Sequence, residues 1–188
     1  MKYVKTLGLL SVAAAAMMAF AGTASATYLT SPEGTIYTGT IHASSEGATE
    51  LHGEAFSVNC SASTVSGKVE THGSSVTAGG KISTLDFTGC NFPVTVLNAG
   101  SLELHTSASG PGTGTLTSTG AEITIHGPFG INCIYKTSNT HIGTLTTEET
   151  LDIDSAAIPR TGHSAFCGAS GEWTGSYAVT TPSTLYVH

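Results

Sequence analysis

Phe56-Ser57-Val58-Asn59-Cys60 returns as Phe129-Gly130-Ile131-Asn132-Cys133, and each copy is followed by one further cysteine, Cys90 or Cys167. Both stretches alternate apolar and small or polar residues, the period of a strand with one covered face. Phe56, Val58 and Cys60 then share a face, as do Phe129, Ile131 and Cys133, and each cysteine turns into an apolar layer. A repeat that accounts for all four cysteines divides the chain into two like halves.

The similarity extends outward. Gly47-Ala48, Glu50 and His52-Gly53 precede the first copy, and Gly120-Ala121, Glu122 and His126-Gly127 precede the second. Ser101-Leu102-Glu103-Leu104-His105 is similar to Thr184-Leu185-Tyr186-Val187-His188. The expected units are residues 34–105 and 112–188, joined by the Ser107-Ala108-Ser109-Gly110-Pro111-Gly112 stretch within a single β domain covering 27–188.

Thr, Ser, Val and Gly dominate, helix-forming runs are absent, and turn residues interrupt the chain every 8 to 12 residues or so. This predicts an all-β antiparallel sandwich or barrel. Hairpins are expected at Asn98-Ala99-Gly100, between Val94–Leu97 and Ser101–Leu104, and at Ala78-Gly79-Gly80, between Lys68 and Lys81. A third is expected at Ser118-Thr119-Gly120, with Ile123 and Ile125 inward and Glu122, Thr124 and His126 outward. Glu148 to Ala157 reads as a strand, because Leu151 and Ile153 alternate with Asp152 and Asp154.

The cysteines read as two structural disulfides. Their separations of 30, 43 and 34 residues lack the closely spaced pairs of a zinc knuckle. Four cysteines allow three pairings, and a two-fold duplication is compatible with each. Cys60 with Cys90 and Cys133 with Cys167 is preferred, since each loop then closes within one unit. If Leu85 and Phe87 face the core, Cys90 has the opposite parity, so Gly89 must mark a bulge or a strand end.

Residues 1–26 read as an export signal. Lys2 and Lys5 open it, an apolar stretch runs from Leu7 to Phe20, and Ala24-Ser25-Ala26 supplies the small residues of a cleavage site. Later segments lack a run of membrane-spanning length, so no stable insertion is expected after cleavage. Beyond Ala26 four bases face thirteen acids, a net charge of −9. Scattered single bases exclude nucleic acid as a partner and disfavour an anionic membrane surface.

No catalytic, cofactor or metal residue is expected. Ser170 in Gly168-Ala169-Ser170-Gly171 misses the nucleophile elbow by one residue, and His163-Ser164 is a neighbour in sequence only. Glu50, Glu122 and Asp152 are candidates for a glycosidase pair only if a cleft opposes them. His52 with His126, and His105 with His188, could bind a metal only if the repeat brought them together. Asp152 and Asp154 beside Glu148 and Glu149 lack the calcium-loop pattern. Trp173, Tyr177 and Val179 share a face, which makes the one tryptophan a core anchor.

The export signal, Phe87-Thr88-Gly89-Cys90, Cys133-Ile134-Tyr135, and the Trp173-Thr174-Gly175-Ser176-Tyr177 string with its Leu185-Tyr186-Val187 ending resemble an uncharacterised group of secreted bacterial all-β proteins. The Thr/Ser/Gly-rich strands with their cysteines are more loosely similar to the secreted activator of alkane oxidation family, some of whose members are biofilm-associated. The resemblance implies a secreted or cell-envelope location in a bacterium and carries no active-site residues. The expected function is a noncatalytic structural or adhesive extracellular protein, self-associating or bound to surface or matrix components. The alternative is an extracellular module for a small ligand or carbohydrate.

Overall fold

A computed structural model describes residues 27–54, 56–70, 77–106, 112–146, 150–162 and 165–188. The expected signal at 1–26, linker residues 107–111, Glu148-Glu149 and the His163-Ser164 pair lie outside the described residues. The fold is all-β and antiparallel, with two disulfides, Cys60–Cys90 and Cys133–Cys167.

The strands are β1 (Leu29–Thr30), β2 (Thr40–Ser45), β3 (Thr49–His52), β4 (Ser57–Cys60), β5 (Ala62–Val69), β6 (Thr77–Thr88), β7 (Val94–Asn98) and β8 (Ser101–Thr106). They continue as β9 (Gly114–Thr119), β10 (Glu122–His126), β11 (Asn132–Lys136), β12 (Thr140–Leu145), β13 (Thr150–Pro159), β14 (Ser170–Thr181) and β15 (Tyr186–Val187). Eight of them close a ring in chain order, β2-β5-β6-β8-β9-β12-β13-β14, with β14 returning to β2. Of the two architectures composition allowed, the molecule is therefore the barrel. Four staves come from each half of the chain, and in each half a hairpin, β3–β4 or β10–β11, intervenes between the first stave and the second.

The barrel walls run on past the ring at one end. There β2 and β3 lie in succession along β14, with Ala43 opposite Val179 and Leu51 opposite Trp173. On the other side β8–β9 continues as β7–β10, so Ser101 pairs with Thr119 and Asn98 with Glu122. Two of the expected hairpins are corrected by this arrangement. At Asn98–Gly100 and Ser118–Gly120 the chain does not reverse. Both strands of one ribbon bend together out of the barrel into a sheet ordered β11-β10-β7. Gly100, at φ 75°, is needed at the bend because an added Cβ would strike the backbone of Thr119 and Ala121. A turn signature specifies a change of direction; the partner of each strand is decided elsewhere.

The expected hairpin between Lys68 and Lys81 does pair, with Lys68 opposite Lys81, but Ala78-Gly79-Gly80 is strand rather than turn. Those small residues sit between β5 and β8, where an added Cβ on Gly79 or Gly80 would meet the carbonyl of Leu102 or Lys68. Close strand approach, not a reversal, is what the glycines serve. Thr124, expected outward, is buried with Ile123 and Ile125, because the outer sheet is covered on both faces there. Leu151 and Ile153 face in and Asp152 and Asp154 face out on β13, as their alternation implied.

Around the first pentapeptide Val58 and Cys60 are buried and Phe56 is half-buried. The second departs from this. Cys133 is buried and Ile131 half-buried, but Phe129 is fully exposed in a 3-10 turn, Pro128–Gly130, at φ 57°. Nearby, the Phe56 ring lies over Gly127, and the Tyr135 hydroxyl lies beside Gly53 while donating to the Cys167 carbonyl at 2.8 Å. The parity of Cys90 is resolved by β6 ending at Thr88, with Gly89 at φ 61°.

Candidate functional site: the barrel interior

Inward positions of every stave are apolar or small. Ile41 and Ala43 face Gly67 and Val65 across β2–β5, Leu104 faces Leu116 across β8–β9, and Trp173, Gly175 and Tyr177 alternate with polar residues along β14. Between them lies a cavity of about 160 Å³ lined by residues from all eight staves, among them Ile41, Val65, Leu102, Leu116, Ile142 and Ile153. An eight-stranded barrel is the size at which side chains either fill the interior or leave room for one small ligand.

Aromatic rings of β14 form part of its wall. Trp173 and Tyr177 meet edge to face, with centroids 6.0 Å apart, and Phe87 packs against Trp173 at 5.9 Å. Towards the other rim, Leu29 of the β1–β15 pair contributes to the lining. That pair ties the two ends of the described chain together, Tyr28 and His188 exchanging backbone hydrogen bonds of 3.0 Å.

The polar tips of the aromatic wall are sealed off. Tyr177 Oη, Trp173 Nε1 and Ser63 Oγ are all buried, and none makes a well-aligned hydrogen bond. Burial pushes the Tyr177 phenol up to about 12, a rise that the adjacent Ser63 hydroxyl and Trp173 N–H offset only in part. Tyr177 therefore stays neutral well above physiological pH. Trp173 is the core anchor expected of it, and it is at the same time a wall of the cavity.

Outside, the staves carry Thr40, His42, Thr64, Lys68, Glu103 and Glu172 among other polar residues, all exposed. Polar outside and apolar inside is the reverse of a membrane-spanning barrel, whose lipid-facing band is apolar. Among the described residues no helix is long and apolar enough to cross a membrane. The two disulfides indicate an oxidising, extracytoplasmic compartment.

Residues weighed for catalysis or metal binding do not converge, apart from Asp152 and Asp154, which line one pocket with His141. Glu122 pairs with Lys136 at 2.9 Å, Asp152 accepts from Ser176 at 2.7 Å, and Glu50 is exposed on β3. Ser170 begins β14, exposed. The four histidines weighed are engaged locally: His52 with Ser57, His126 with Asn132 and Thr95, His188 with Thr30, and His105 lies 4.0 Å from Glu103. Asp154 accepts from Ser155 at 3.4 Å. Among the described residues no three His, Cys, Asp or Glu side chains are grouped as metal ligands would be.

Reading the sequence missed the cavity itself. The inward Ala43, Gly67, Ala78 and Gly80 were its one local signal, small residues at positions where their neighbours are Ile, Val and Leu. No protein-family model, curated protein or solved structure matches the chain.

Proposed function

We propose that this chain is an exported bacterial binding protein that carries a small apolar ligand inside its barrel. The observation that carries this reading is the cavity of about 160 Å³, bounded by apolar side chains of all eight staves in a barrel whose outer face is polar. Removing apolar surface from water would supply the binding free energy, and the closed ladder supplies rigidity at little conformational cost. The amino-terminal signal and the disulfides support action outside the cytoplasm. Nothing in this reading calls for a catalytic group or cofactor.

The sole tryptophan makes occupancy measurable. Toluene added to the exported, oxidised protein is expected to change Trp173 emission saturably and to raise the melting temperature as the ligand concentration passes its dissociation constant. Ala43→Leu and Leu116→Phe, which place bulk in the cavity, are expected to abolish both effects while the far-ultraviolet circular dichroism spectrum stays that of the parent. Absence of any toluene effect on the parent protein overturns the proposal.

The structural or adhesive role expected from composition is the second reading, favoured by the exposed aromatics Phe129 and Phe166, which lie close in sequence to the two ends of the Cys133–Cys167 disulfide. Sedimentation separates the two: concentration-dependent polymers support adhesion, and a monomer that responds to toluene supports carriage.

A further inference from the structure

We infer that the cavity selects a compact, uncharged hydrocarbon with no hydrogen-bonding group, of about the bulk of a single six-membered ring. The inference rests on the carrier reading and narrows it to one chemical class. Size comes first: a dry apolar cavity of about 150 Å³ accommodates a benzene-sized guest, and the volume here is about 160 Å³.

Chemistry comes next. Four polar side chains stand at the aromatic wall, Thr49, Ser63, Trp173 and Tyr177, yet their polar atoms do not serve the cavity. The rings of Trp173 and Tyr177 line it, whereas Nε1 and Oη are sealed from anything of the size of water and lie with Ser63 Oγ. Lys68 and Lys81 stand at outward, exposed positions of β5 and β6, so they reach the cavity only through their stems and backbone. Ser118, a hydroxyl side chain in the lining, is buried and already engaged, its Oγ 3.0 Å from Thr137 Oγ1. A ligand carboxylate would have no counter-charge there, and a ligand hydroxyl would give up its water for no free partner.

The same geometry gives the wall a positive preference. Trp173 and Tyr177 stand edge to face at 89°, and their ring surfaces favour a guest that can present an edge or a π-face. A monocyclic aromatic or a short cyclic alkene therefore fits better than a linear alkane of equal carbon number. A carbohydrate, one of the ligand classes raised by the sequence, is disfavoured by the same absence of accessible polar groups.

The test compares toluene with benzyl alcohol, which keeps the ring and adds one hydroxyl, on the full exported protein by calorimetry and Trp173 emission. Burying an unpartnered hydroxyl is expected to weaken benzyl alcohol about ten- to a hundred-fold relative to toluene. Benzoate is expected not to bind at millimolar concentration. If benzyl alcohol equals or exceeds toluene, the polar tips do reach the ligand and the selectivity is overturned, while the carrier reading stands. If neither compound binds, the carrier reading itself fails. Ser63→Ala is the control: it removes a hydroxyl sealed from the cavity, so the ratio of the two affinities is expected to stay unchanged. A ratio that collapses in this variant overturns the inference.

Discussion

Tyr177 joins packing, electrostatics and the cavity in one side chain. It is 1 % exposed, its ring lines the cavity, and its phenol is held at about 12 against the usual 10.0 by burial. An acid whose folded value is raised keeps its proton in the fold while the unfolded chain loses its own. Its contribution is thus fully present below pH 10 and is lost as pH climbs towards 12. About two units correspond to roughly 2–3 kcal/mol. Denaturant titrations at pH 8, 10 and 12 are expected to show that loss in the parent and a visibly smaller one in Tyr177→Phe, with Tyr135, also raised by burial, supplying part of what remains. The inward placing of Trp173 and Tyr177 was legible because strict alternation survives from Ser170 to Tyr177 along β14. Phe129 was not, because it falls in the Pro128–Gly130 turn at φ 57°, outside the strand to which the period applies.

The hairpins depend on local devices of different strength. Strand β4 ends the sheet that β14 and β3 extend, and its free edge is covered by Asn91, which accepts from Asn59 N at 2.9 Å and donates to the Ser57 carbonyl at 3.2 Å. Covering an edge in this way blocks pairing with another chain. Asn91→Ala is expected to lower stability by about 1 kcal/mol, since these hydrogen bonds are exposed. Replacing both Cys60 and Cys90 by Ala should cost about 3–4 kcal/mol by the chain-entropy account, because the 30-residue separation is no longer closed in the unfolded state. Urea midpoints of the two variants rank these effects, and equal midpoints would contradict the ranking. The disulfide pairing was readable because only it closes loops within each half. The corners at Gly100 and Gly120 were not, since a glycine with positive φ suits a bend and a reversal equally well.

Closure of the ring couples the two halves more tightly than their similarity alone would. Residues before 107 supply β2, β5, β6 and β8, those after 111 supply β9, β12, β13 and β14, and the ring closes only through the β8–β9 and β14–β2 seams. Neither half can bury its inward face without the other, since each supplies only four of the eight staves. The cavity has the same non-local origin: its volume is a sum over eight staves, and each stave alone has the alternation of any packed strand. Unfolding is therefore expected to be one transition, with Trp173 emission, far-ultraviolet circular dichroism and calorimetry sharing a midpoint and the calorimetric enthalpy equal to the van't Hoff value. Two resolved transitions would mean that each half folds alone, which the shared ring does not permit. Because the last stave pairs with the first, long-range contacts dominate and refolding of the oxidised chain belongs in the range of about milliseconds to seconds. Toluene bound in the finished barrel should slow unfolding and leave the refolding rate nearly unchanged, since the cavity exists only after β14 has met β2.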